Sequence, residues 1–225
     1  MSKVWEKDNK TFCILPFSHF SPRADGKVKL CSECKHFEGI PKSGTVDEID
    51  MSTGLIPDVE PFNLNNGDTL EDIWDSEFYK DIRRKMLSGE HISLCEQCYH
   101  DDNIAGHENL IYPIEDVFQP APITQSKRWS LTYGQEFIND YKDIIQYADD
   151  NNGHMGEHLP QRYEMRLSNK CNLACRMCSP ENSSLYAKEI VNNAETFHWA
   201  DIERWKNYLP GKLELDENPE LISSI

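Results

Sequence analysis

The placement of eight cysteines constrains this chain more than any other feature of its sequence. Cys13, Cys31, Cys34, Cys95 and Cys98 form an N-terminal group, and Cys171, Cys175 and Cys178 form a tight C-terminal one. The first residues, Met-Ser-Lys-Val-Trp-Glu-Lys-Asp, carry charge with no apolar stretch behind them. No secretory signal is therefore visible, and a cytoplasmic location is expected. In a reducing compartment thiols stay unpaired, so clustered cysteines hold metal more often than they form disulfides.

Composition narrows the partners. The 225 residues carry 23 Lys and Arg against 39 Asp and Glu, a net charge of −16. Such a field repels phosphate backbones, so no nucleic-acid partner is expected. Charges interrupt every apolar run long before the ~18 residues that a membrane span needs, so no membrane association is expected either.

The chain reads as α/β, in three stretches. Residues 1–115 form an α+β cysteine domain, 116–160 a linker with one helix, and 161–225 the start of a second strand–helix domain. Val28 and Leu30 alternate with Lys27 and Lys29 as a strand leading into Cys31. Asp25-Gly26 before it supplies the positive φ of a hairpin turn. A helix is expected from Asp68 to Gly89. Thr69 and Asp72 suit a capping box, and Leu70, Ile73, Trp74, Phe78, Ile82 and Met86 make one apolar stripe. Pro113, Pro120 and Pro122 mark 113–132 as a connector. A second amphipathic helix is expected over Gln135 to Ala148, with Phe137, Ile138, Tyr141, Ile144 and Ile145 on one face. The main boundary is expected between Asn151-Asn152-Gly153 and Pro160. Tyr163, Met165 and Leu167 then alternate as a strand, and Ser179-Pro180 suits the start of a helix that buries Leu185, Tyr186, Ile190 and Val191.

Between that strand and helix lies Lys170-Cys171-Asn172-Leu173-Ala174-Cys175-Arg176-Met177-Cys178, with the spacing C-x3-C-x2-C. Thiolates select zinc, copper(I) or iron–sulfur clusters. Three thiolates can hold three corners of a [4Fe–4S] cubane, which normally takes four, leaving one iron open. The same spacing, i, i+4 and i+7, is also one face of a helix, where cysteine serves as a small core residue. The turn formers Ser168, Asn169 and Asn172 stand where that helix would begin and argue against it.

Residues 162–195 resemble the opening βα unit of radical S-adenosylmethionine (SAM) enzymes. The resemblance implies a partial (β/α)6 barrel in which Cys171, Cys175 and Cys178 ligate the cluster and SAM chelates its fourth iron. One electron would cleave the sulfonium bond to methionine and a 5′-deoxyadenosyl radical, the cofactor carrying the chemistry. Met177 matches a position near the adenine, and apolar packing is its other reading.

The N-terminal cysteines resemble a second family element. Cys13, then Gly26, Cys31 and the Cys95-x2-Cys98 pair match the C-x(9–15)-G-x4-C … C-x2-C pattern of the auxiliary-cluster extensions called SPASM and twitch domains. That resemblance implies an auxiliary [4Fe–4S] cluster on Cys13, Cys31, Cys95 and Cys98, with Cys34 left out. Zinc on Cys31, Cys34, Cys95 and Cys98 is the competing reading, although 60 residues between the two pairs exceed the usual ribbon gap of ~15–20. Nearby His36, His91, His100 and His107 read as surface or turn residues.

Two features depart from the family. Its auxiliary domain usually follows the core, and here the motif precedes it. Gln161 to Ile225 also spans 65 residues, whereas six barrel units at ~30 each need ~190. The expected second strand, Lys212 to Asp216, runs into Asp216-Glu217-Asn218-Pro219 rather than a Gly-Gly-Glu segment. The chain is therefore expected to be incomplete, as a truncated product, a split protein completed by another chain, or a degenerate one. The expected function is a radical SAM enzyme, with an electron donor and a peptide or small-molecule substrate as partners. The alternative is a non-catalytic iron–sulfur or zinc module for interaction or electron transfer. No catalytic acid or base is assigned.

Overall fold

Arg23 to Lys27 turn the chain back on itself: the Gly26 amide donates to Arg23 O at 2.9 Å and the Arg23 amide to Lys27 O at 2.8 Å. Gly26 sits at φ +81°, and a Cβ there would lie 2.2 Å from Asn63 Oδ1. Both the dihedral and the space require glycine. The computed structural model describes residues 11–32, 34, 37–105, 134–166, 168–171, 173, 175, 178–197 and 201–210, with side chains left aside over 101–140. The turn joins β1 (His19–Pro22) to β2 (Val28–Lys29). β3 (Arg162–Tyr163) lies parallel to β1, pairing His19 with Arg162 and Phe20 with Tyr163, in a three-stranded sheet ordered β2-β1-β3. The strand expected through Leu167 is thus shorter.

The chain divides into two units. One holds residues 1–20, 29–62 and 69–163; the other holds 21–28, 63–68 and 164–225. The hairpin tip and a short loop thereby join the C-terminal segment.

In the first unit, α1 (Leu15–Ser18) is one turn preceding β1. The helix expected from Asp68 to Gly89 is two helices, α2 (Leu70–Trp74) and α3 (Glu77–Ser88). The Thr69–Asp72 capping box forms as expected, and Gly89 ends α3 at φ +80°. The interruption comes from Asp75 and Ser76. Ser76 accepts from the Tyr79 amide at 3.3 Å as a fresh N-cap, while the Asp75 carboxylate accepts from the Met155 amide at 3.1 Å. The whole expected stripe, from Leu70 to Met86, is buried. Phe78 stacks on Phe37 with ring centroids 5.4 Å apart, and Trp74 meets Tyr79 at 5.2 Å.

Arg83 lies among these rings with no exposed surface. Its Nε donates to Pro16 O at 2.8 Å and its Nη1 to Gly153 O at 3.1 Å, and the guanidinium covers Trp74 at 4.3 Å. Burial pushes its pKa down to about 9. An arginine thus ties three separate stretches of backbone together. After α4 (Glu96–Ala105), α5 (Gly134–Asp150) buries Tyr141, Ile144, Ile145 and Ala148. Phe137, Ile138 and the 113–132 connector lie outside the residues, or the side chains, described.

In the second unit, Ser179-Pro180 opens a single 3-10 turn, Pro180–Asn182. The α-helix proper, α6 (Ser184–Asn192), is capped by Ser183, which accepts from the Tyr186 amide at 3.3 Å. This start sets a face of Ser183, Ser184, Ala187 and Ile190, all buried. Leu185, expected inside, is 40% exposed. A last short helix, α7 (Ile202–Trp205), follows. Lys212 to Asp216 lie outside the described residues, and the described residues after Pro160 contain one strand. Among the described residues no helix is long and apolar enough to cross a membrane.

Candidate metal centre

Local structure delivers the N-terminal thiols. β2 ends at Lys29, and Cys31 follows two residues later. Gly89 reverses the chain after α3, Ile92 buries completely, and a 3-10 turn over Ser93–Cys95 leads into α4. Cys98 therefore falls in the first turn of α4, where the positive end of the helix dipole favours a thiolate.

Cys31 and Cys34 share a hydrogen bond with sulfurs 3.5 Å apart, and Cys34 Sγ also donates to Leu94 O at 3.7 Å. The Cys34 thiol is pushed well up by the Cys31 hydrogen bond, by burial, and by the charges of Cys31, Cys95 and Cys98. Cys34 therefore senses the other three thiols of the two C-x2-C pairs. Cys13, Cys31, Cys34 and Cys95 are buried, and Cys98 is half-buried. A buried thiol whose ionisation is opposed by neighbouring thiols is a donor that a thiophilic cation would favour. The 3.5 Å pair is close to the ~3.8 Å between sulfurs in a tetrahedral zinc site with Zn–S of about 2.3 Å. Among the described residues, however, no three His, Cys, Asp or Glu side chains gather as ligands of one ion.

Cys34 is left out of the iron–sulfur reading of the sequence and included in the zinc reading. The C-x2-C spacing carried that signal, but weighing it required knowing that Leu94 lies against Cys34. Tyr79 was missed. Its phenol is fully buried, has no hydrogen-bond partner among the described residues, and is pushed up by burial and by the charges of Cys31 and Cys34. Of the nearby histidines, His91 is exposed and pairs with Glu96 at 2.7 Å, in keeping with a surface role. His36 and His107 lie outside the described residues.

The C-terminal thiols sit differently. Cys171 and Cys178 are half-buried and Cys175 is exposed. The described residues from Ser168 to Ser179 are not helical, so the three cysteines do not form a stripe on a helix. Polar bonds shape the loop instead. Asn169 is buried, donates through Nδ2 to Tyr208 O at 2.7 Å and accepts at its carbonyl from the Ser184 amide at 2.8 Å. The Leu173 amide donates to Cys171 Sγ at 3.4 Å, and the Cys178 amide to Cys175 O at 2.9 Å. Ser183 Oγ donates to Leu173 O at 2.8 Å, so the residue capping α6 also anchors the loop. Met177 lies outside the described residues.

A comparison with protein families matches residues 13–99 to SPASM, an iron–sulfur cluster-binding domain. The match covers under half of the chain, and the domain is typical of radical SAM proteins. Comparison with curated proteins and with solved structures yields no match.

Proposed function

We propose that this chain works within a radical SAM enzyme, carrying an auxiliary cluster on its N-terminal cysteines and the SAM-binding cluster on Cys171, Cys175 and Cys178. The observation that carries the reading is the SPASM match, which starts at Cys13 and ends one residue past Cys98. Those bounds support Cys13, Cys31, Cys95 and Cys98 as ligands of a [4Fe–4S] cluster. A second reading replaces Cys13 with Cys34, and the 3.5 Å contact between Cys34 and Cys31 favours it. Cys31, Cys95 and Cys98 are common to both, and to a zinc site.

When bound, the loop cluster supplies one electron that cleaves the SAM sulfonium bond to methionine and a 5′-deoxyadenosyl radical. The chain's own part is to position. Ser183 holds the Leu173 carbonyl, Asn169 links the loop to Tyr208 and α6, and the loop leaves Cys175 open to an incoming molecule. Met177 beside the adenine, an external electron donor, a chain completing the barrel and a peptide or small-molecule substrate belong to the same proposal.

Metal analysis of anaerobically purified, reconstituted protein tests it. The expected product is brown, binds iron and sulfide at two sites, and changes its spectrum with SAM. Cys13→Ala removes the N-terminal iron and Cys34→Ala retains it; the reverse outcome selects the second ligand set. Colourless protein with stoichiometric zinc overturns the iron assignment of the N-terminal site.

A further inference from the structure

The tripeptide Asn-Asn-Gly occurs twice, at residues 65–67 and 151–153. An asparagine followed by glycine carries its own chemistry, because no side chain on the glycine shields its amide nitrogen from the asparagine side-chain carbonyl carbon. A folded chain permits that reaction only where the amide is loosely held and has space to turn. The two sites differ on both counts.

Asn66 and Gly67 are exposed, at the end of the 3-10 turn Leu64–Asn66. The Gly67 amide donates to Leu64 O at 3.3 Å, a distance beyond the usual range of such bonds. A Cβ built on Gly67 would meet nothing within 4 Å. Asn152 is exposed too, but Gly153 is buried. Its amide donates to Ala148 O at 2.7 Å, its carbonyl accepts from Arg83 Nη1 at 3.1 Å, and a Cβ there would lie 2.5 Å from Lys80 O. Turning the 152–153 peptide so that its nitrogen meets the side chain breaks well-made bonds in the core. Turning the 66–67 peptide breaks a long bond beside water.

We propose that Asn66 is a site of self-modification, at which the Gly67 nitrogen attacks Asn66 Cγ and the residue becomes aspartate or isoaspartate. The N–Cγ bond forms and the Cγ–Nδ2 bond breaks, and Nδ2 leaves as ammonia with the proton of the Gly67 amide. Water then opens the cyclic imide at either carbonyl, giving aspartate, or isoaspartate with the main chain routed through the side chain. No electrons are transferred, and water is the co-reactant. The product places a new negative charge in the turn that holds Asp68, whose carboxylate accepts from the Asn63 amide at 2.7 Å. The same turn braces the hairpin: the Leu64 amide donates to Gly26 O at 2.9 Å and Asn63 Nδ2 to Asp25 O at 3.0 Å. The inference stands whichever metal the thiols hold.

The test incubates the full chain in mildly alkaline buffer, native and in guanidinium chloride. Peptide mapping by mass spectrometry follows, with electron-transfer fragmentation to separate isoaspartate from aspartate. In the native protein, conversion at residue 66 is expected to outpace that at 152 by about tenfold or more, the order that one additional buried hydrogen bond supplies. In denaturant the two sites should convert at similar rates, since they share the Asn-Asn-Gly sequence. An intact Asn66 in the native chain overturns the proposal, as does a native ratio no larger than the denatured one. Asn66→Gln, whose longer side chain disfavours the ring, should stop the growth of acidic species on isoelectric focusing; unchanged growth also overturns it.

Discussion

The two cysteine groups solve opposite problems. The N-terminal thiols are set into an aromatic core, with Cys34 against Leu94 and Phe78 stacked on Phe37. The C-terminal thiols ride on a loop held by Asn169 and Ser183, with Cys175 exposed. A sealed thiol set suits a centre that keeps its ligands and exchanges little with solvent. An exposed one suits a centre that must admit another molecule. The difference teaches that thiol count and spacing, alike in chemistry at both places, do not set accessibility; the surrounding packing does.

The largest effect that would break this comparison is on metal retention. On exposure of reconstituted protein to air, iron is expected to leave the Cys171–Cys178 loop well before the N-terminal site. Iron counts over time, in the parent and in Cys171→Ala/Cys175→Ala/Cys178→Ala, assign each phase. Equal rates at both sites would remove the distinction between sealed and open. Ser183→Ala should hasten the loop phase alone, because it frees the Leu173 carbonyl and uncaps α6.

Next in size is Arg83. Removing it leaves the Pro16 and Gly153 carbonyls without their buried donor and empties the space over Trp74. Arg83→Ala is expected to destabilise the first unit by about 3–5 kcal/mol in urea denaturation, as for loss of a buried, multiply bonded charge. Loop iron should respond less than N-terminal iron. A loss below about 1 kcal/mol would show that the guanidinium carries little of the packing.

The smallest effect sharpens the comparison at the edge of the N-terminal core. Thr69→Ala removes the reciprocal cap of α2 and should cost about 1 kcal/mol. The Thr69 hydroxyl and amide hold the Asp72 carboxyl below its ordinary range. Its contribution is therefore present above the unfolded carboxylate pKa of about 4 and lost as pH falls through the lower folded value. Asp72 is largely exposed, so the term is modest. Thr69→Ala should flatten the acid limb of a stability–pH curve slightly; an unchanged limb would show that the cap contributes no pH dependence.

Legibility followed the range of each interaction. The Thr69–Asp72 box, the Gly26 turn, the Gly89 stop and the apolar stripe from Leu70 to Met86 were readable because each is a relation between neighbours. Of the errors, one had a distant cause and one a local cause. Ser76 restarts a helix that looked continuous, since Asp75 is drawn to the Met155 amide, 80 residues away. Leu185 faces out because Ser183, rather than Ser179, begins the α-helix. Of the candidate site, the inventory of thiols was legible and the company they keep was not.

By itself, then, the sequence determined which donors exist, where the turns and caps fall, and that a chain of these charges offers its thiols to metal. Tertiary structure decided that Cys34 stands beside Cys31 and meets Leu94 across 60 residues, that Arg83 reaches Pro16 and Gly153 across 67 and 70, and that the Tyr79 phenol is buried with no hydrogen-bond partner among the described residues. The physical reason is that backbone conformation answers to neighbours within about one helical turn. Burial, desolvation and hydrogen-bond satisfaction answer instead to whatever distant segment closes the core.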